Sequence, residues 1–110
     1  EIFVAPGESM ADAGARFGAE VKDMLSTLVT LGAGHNKLIC FSETGLEGIP
    51  DANWWCNALY PAIQGFPISY VLTWRNAHDR PGHFYGPWKG YGGEEDFKAF
   101  AAQDKILLLD

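Results

Sequence analysis

The chain is short of positive charge, of cysteine and of long apolar runs, and each shortage narrows what it can be. Only 8 Lys and Arg stand against 14 Asp and Glu, a net charge of −6. That balance argues against a nucleic-acid partner, because phosphate binding needs clustered cations. It gives no support to an anionic membrane surface either. No stretch approaches the roughly 20 consecutive apolar residues of a membrane span. The start, Glu1 to Pro6, lacks a basic end and a full apolar region, so it does not read as a signal peptide. Two cysteines, Cys40 and Cys56, are too few to fix a redox compartment. No His/Cys/Asp cluster has zinc-ligand spacing, His35, His78 and His83 being scattered, so no metal site is expected. Gly90-Tyr91-Gly92-Gly93 lacks the strand–loop–helix context of a phosphate-binding loop. No cofactor is expected. There is no internal repeat.

What is present is globular: 110 residues, 47% hydrophobic and 20% charged, with 14% aromatics crowded between Phe41 and Phe100. Ser9-x-x-Asp12 reads as a capping box with Asp in place of Glu. Beyond it Phe17, Val21, Met24, Leu25, Leu28 and Leu31 recur at helical spacing. This predicts a helix from about Ala11 to Leu31, ended by Gly32 and Gly34. Leu38 to Ser42 is a near-continuous apolar run, as in a strand covered on both faces. Asp51 is the expected N-cap of a second helix through Trp54, Trp55, Leu59 and Ile63. Pro61 should kink it or end it early. A second strand follows at Ile68 to Thr73, a separation that suits one βαβ crossover. Asn76 to Gly93 is a long loop without periodicity, of the kind that usually binds or covers something. Glu94 to Ala102 reads as a last short helix, and Ile106 to Leu109 as a packed tail.

Parity places the candidate chemistry. If alternate strand residues point inward, Ile39, Phe41 and Glu43 share one face, and Tyr70, Leu72 and Trp74 form the matching set. Glu43 and Trp74 would then meet where two parallel strands end. A carboxylate at the end of a buried strand, beside a glycine, is costly unless it works. An indole beside it suits the apolar face of a sugar ring. On spacing alone the plainer alternative, Glu43 on a surface loop and Trp74 in the core, stays ahead. Cys40, of opposite parity, is expected to face the helix layer, with two buried free thiols favoured over a Cys40–Cys56 disulfide.

Ser42-Glu43-Thr44-Gly45, Gly48-Ile49-Pro50-Asp51, Trp54-Trp55 and Ile68 through Trp74-Arg75-Asn76-Ala77 resemble the C-terminal part of glycoside hydrolase family 26, the β-mannanases. Phe97-x-x-Phe100 and Leu107 to Asp110 are similar to that family's end. The resemblance runs from about Val21 onward. It implies an α/β fold: the last helix–strand–helix–strand–helix units of a (β/α)8 barrel, about strands 7 and 8, with parallel strands. Residues 1–110 would be the C-terminal segment of a catalytic domain that needs the N-terminal part of the barrel. Glu43 would be the nucleophile of a retaining endo-β-1,4-mannanase acting on mannan-type polysaccharides, with its partner carboxyl about 5–5.5 Å away. Trp74 would be the platform beneath the sugar, and Arg75 would bind the next sugar.

The resemblance also implies a secreted or periplasmic enzyme. The general acid has no match in residues 1 to 37, since Glu8, Asp12, Glu20 and Asp23 precede or lie on the first helix. The isolated chain is therefore expected to be inactive. Trp54, His83 and Tyr85 are further candidates for contact with sugar. Against them stand burial for Trp54 and a self-packed surface loop for His83, Tyr85 and Trp88. The alternative function is a non-catalytic carbohydrate-binding fragment or an inactive truncated glycosidase.

Overall fold

In the computed structural model, Ile2 and residues 4–108 are described. They form three α-helices, a π-turn and two strands: α1 (Met10–His35), β1 (Ile39–Thr44), the π-turn (Trp55–Leu59), α2 (Tyr60–Ile63), β2 (Ile68–Thr73) and α3 (Glu94–Ala101).

At the start of α1 the Ser9 hydroxyl oxygen accepts the Asp12 N–H at 3.1 Å, as a capping residue should. The Asp12 carboxylate takes the Ser9 hydroxyl at 2.7 Å, where the longer Glu of a full box would reach back to the N-cap N–H. Ala13, Phe17, Val21 and Leu25 are buried at i, i+4 spacing. Met24 and Leu31, assigned to the same face by periodicity, are exposed.

The helix does not stop at its glycines. It runs through Gly32 and Gly34 to His35, and Asn36 supplies the left-handed residue at φ 51°. Lys37 N–H then bonds Gly32 C=O at 2.8 Å and Asn36 N–H bonds Ala33 C=O at 3.4 Å, which is a Schellman ending. Gly32 serves a different need. A β-carbon there would stand 2.7 Å from Ile39 Cγ2 and 2.9 Å from Lys37 O, so only glycine lets β1 leave this close to the helix.

β1 and β2 pair in parallel, as expected of a βαβ unit, with Ile39 opposite Ile68, Phe41 opposite Val71 and Thr44 opposite Thr73. The spacing between these pairs is uneven, and the irregularity corrects the parity reading. Phe41 packs into the helix-side core with Phe17, Val21 and Leu25, and Ile39 lies against α1. Cys40 instead meets Tyr70, whose hydroxyl is pushed up by its hydrogen bond with that thiol. So Cys40 does not face the helices. Between Phe41 and buried Thr44 lie two exposed residues, Ser42 and Glu43, so Glu43 departs from Phe41's face. On β2, Tyr70, Leu72 and Trp74 do share a half-exposed face.

The second helix opens as a π-turn. The Asp51 side chain accepts Asn53 N–H at 2.9 Å, and the caps for Trp55 and Cys56 N–H come from Asp96 Oδ2 on α3, at 2.9 and 3.3 Å. Tyr60 N–H reaches back to Trp55 C=O. This wider turn relieves the clash that Pro61 would make with the fourth preceding carbonyl, so Pro61 sits near the start of α2 without ending it. Both cysteines are free and half-buried. Cys56 Sγ bonds Asp96 O at 3.4 Å, and burial together with Asp96 pushes its thiol up to about 11.

Trp55 packs edge-on to Phe97 and tilted on Phe100, and Phe100 is buried in the core. α3 ends at Ala101, one residue short of expectation. The tail packs through Ile106 alone among the described residues. Leu107 and Leu108 are exposed, against expectation, and Leu109 lies outside the described residues. Asp110, part of the resemblance, lies outside them as well.

Candidate functional site

The strand ends enclose an open cavity of about 200 Å³ lined by Glu43, Thr44, Trp74, His83 and Tyr85. Glu43 and Thr44 close β1. Trp74 stands just past β2, and its N–H bonds Thr44 C=O at 2.9 Å, tying the two strand ends together. Trp74 is 41% exposed, so its ring is open to solvent rather than part of the core. The expected meeting of Glu43 with Trp74 is present, although the parity that suggested it fails on β1.

The next residue explains how a third element reaches the same cavity. A β-carbon on Gly45 would fall 2.5 Å from Tyr85 Cδ1. Tyr85 is buried, so its ring fills the space that only a glycine leaves. Asn76 brings Tyr85 there. Its Oδ1 accepts Tyr85 N–H at 3.0 Å and Gly86 N–H at 2.8 Å, and its Nδ2 donates to Gly86 O at 3.1 Å. Ala77 N–H adds a bond to His83 O at 2.9 Å, and Gly48 N–H bonds Phe84 O at 2.8 Å. One side chain and a few backbone bonds thus fold the long loop back over the strand ends.

His83 packs edge-on to Tyr85 at 5.4 Å. Its Nδ1 lies 2.6 Å from Glu47 Oε1. His83 also borders a second cavity of about 390 Å³, shared with His78, Arg80, Phe84 and Trp88 among others. In the loop after Gly45, Ile49 is buried with a φ of 40°. That conformation is strained for a β-branched residue.

Sequence candidates divide at this site. Glu43, Trp74, His83 and Tyr85 share the cavity. Arg75 is exposed beside it and is not among its lining residues. Trp54 requires correction. It is 1% exposed and edge-on to Trp55 at 4.6 Å, because it packs into the hydrophobic core. Its ring is closed to a ligand, and its Nε1 has no partner among the described residues. Thr44 Oγ1 is a second buried polar atom without one. Glu47 and Asn76 were missed as site residues. Asn76 stands inside the Trp-Arg-Asn-Ala block, but its partners lie nine and ten residues on, which no local pattern shows.

Chemically, a carboxylate, a half-exposed indole, an imidazole and a phenol around a small open cavity suit a neutral polyhydroxylated ring. The indole takes C–H groups, while the polar side chains take hydroxyls. No three His, Cys, Asp or Glu residues are grouped to hold a metal ion among the described residues. No helix among them is long and apolar enough to cross a membrane.

The chain superposes on a GH26 β-mannanase from Bacteroides ovatus with a TM-score of 0.83 and 42% identity, over 86% of its own length. The chain is related to the family 26 β-mannanases. Its fold, α/β with parallel strands, matches a fragment of that enzyme, 27% of its chain. A mannan endo-1,4-beta-mannosidase from Bifidobacterium adolescentis is 35% identical over 71 residues, which are 62% of this chain and 7% of that protein. No protein-family model matches the chain.

Proposed function

We propose that the chain is the C-terminal segment of a family 26 catalytic barrel, supplying about strands 7 and 8 of a retaining endo-β-1,4-mannanase. The observation that carries this reading is the shared cavity of Glu43 and Trp74 at the ends of two paired parallel strands, where barrel enzymes build their sites. The kinship with mannanases supplies the substrate class, mannan-type polysaccharide.

In this reading a mannosyl ring rests on the Trp74 indole and the Glu43 carboxylate attacks its anomeric carbon. The glycosidic oxygen leaves with a proton from a partner carboxylic acid, and a covalent glycosyl ester forms on Glu43. The partner, now a carboxylate, takes a proton from water as that water displaces the ester, so configuration is retained. Arg75, outside the cavity, donates to the neighbouring sugar. The partner acid comes from elsewhere in the barrel. Glu8 is engaged by Arg16 at 3.0 Å and Glu20 by Arg16 at 3.5 Å, while Asp12 serves the start of α1.

Replacing Glu43 by Gln in the full-length enzyme should lower kcat at least about a thousandfold while the circular dichroism spectrum stays unchanged. Near-normal turnover would remove Glu43 from the nucleophile's role. The anomer first released, read by NMR, tests retention.

A further inference from the structure

Glu47 takes no part in the chemistry above, yet its side chain makes a short polar contact to a residue of the cavity. Its Oε1 lies 2.6 Å from Nδ1 of His83. A carboxylate this close to a ring nitrogen requires a hydrogen on that nitrogen, so the contact assigns the imidazole its proton at Nδ1. In the neutral ring Nε2 is then a hydrogen-bond acceptor. Glu47 does not line the cavity, whereas His83 does. Glu47 is itself half-exposed, with a relative side-chain exposure of 53%. A hydrogen bond that open contributes little to folding. Its effect falls on the orientation and tautomer of the ring.

We propose that Glu47 is a positioning residue for substrate. It holds His83 in the tautomer whose Nε2 accepts a hydrogen bond from a sugar hydroxyl in the cavity beside Trp74. This inference rests on the mannanase reading. Two further features fix the same ring: the edge-on packing on Tyr85 and the backbone bonds on either side, Ala77 N–H to His83 O and His83 N–H to Arg80 O. With the main chain and one ring face held, the remaining freedom is rotation of the imidazole. Glu47 removes it.

The test is a double-mutant cycle in the full-length enzyme, with a soluble β-1,4-mannan oligosaccharide as substrate. Glu47→Ala should raise KM about tenfold with kcat changed by less than about twofold, the pattern of a lost binding contact. His83→Ala should raise KM to a similar extent, and Glu47→Ala should add nothing in that background. Glu47→Gln, whose amide oxygen still accepts the Nδ1 hydrogen, should recover most of the loss. The midpoint of thermal unfolding should stay within a few degrees in each variant. An unchanged KM in Glu47→Ala overturns the proposal. So does a Glu47→Ala effect that persists undiminished without His83, since Glu47 would then act through something else. Should Glu47→Ala fail to fold, the contact is structural and the proposal also falls. Glu43→Gln, run alongside, separates the two readings: an inactive Glu43→Gln with an unaffected Glu47→Ala sinks only the positioning role.

Discussion

Tyr85 packs so closely on Gly45 that any side chain there would displace the ring, and with it the wall of the cavity beside Glu43. Single residues of this kind decide what the strand ends present. The same scale holds the clearest pH effect. The Arg16 guanidinium, helped by the Ala5 N–H, holds the Glu8 carboxyl at about 2, below its ordinary 4.5. Because the folded pKa is depressed, the contact stabilises fully above the unfolded value. That stabilisation fades as pH falls from about 4.5 towards about 2. The pair is solvent-exposed, so salt screens it and the effect is small. Glu8→Gln should therefore flatten the acid limb of a stability-against-pH curve, measured by urea unfolding. A parallel downward shift with the same slope would show that the contact does not titrate there.

Among the elements, the π-turn depends most on a distant partner. Its Trp55 and Cys56 N–H groups are capped by Asp96. Tyr91 ties the same region together, accepting from Trp55 Nε1 at 3.1 Å and donating to Gly93 O at 2.6 Å. Asp96→Ala strands two helix-start donors, an effect of about 1–2 kcal/mol by analogy with lost N-caps. Denaturant titration should show that loss, with Asp96→Asn recovering part of it. An unchanged midpoint would mean that water caps the π-turn equally well. Asn76 does comparable work for the long loop, where its Oδ1 holds the Tyr85 and Gly86 N–H groups in place.

At the scale of the whole molecule, two strands cannot close a barrel, and the surface agrees. Leu38 is 90% exposed, and Met24, Leu31, Tyr70 and Leu72 are exposed with it. An open groove of about 320 Å³ runs between α1 and β1 down to Glu43, lined by Phe17, Val21, Met24 and Leu28 among others. Apolar surface of that extent beside unpaired strand edges invites association. If the chain is a barrel segment as proposed, the purified 110 residues should hydrolyse no mannan and should associate on size-exclusion chromatography. Mannan hydrolysis by the isolated chain would reveal a general acid within it.

The order helix–strand–helix–strand–helix was legible because each element carries its own local period: the Phe17–Val21–Leu25 stripe, the apolar runs of β1 and β2, and the acidic start of α3. The Glu-Thr-Gly and Trp-Arg-Asn-Ala blocks pointed to the strand ends through the family resemblance, since spacing alone favoured Glu43 on a surface loop and Trp74 in the core. Local pattern carries no information about how strict the alternation is, and β1 breaks it between Phe41 and Thr44. Cys40 and Phe41 therefore exchanged faces. Nor does it show partners far along the chain: Glu47 on His83, Asn76 on Gly86, Asp96 on the π-turn. Trp54, ten residues past the end of β1, stood as a candidate for sugar contact with burial the alternative against it, and it is sealed in the core. The linear chain thus set which segments fold and where a carboxylate and an indole emerge. Three-dimensional packing alone decided which rings face the cavity, because that depends on contacts between segments with no common periodicity.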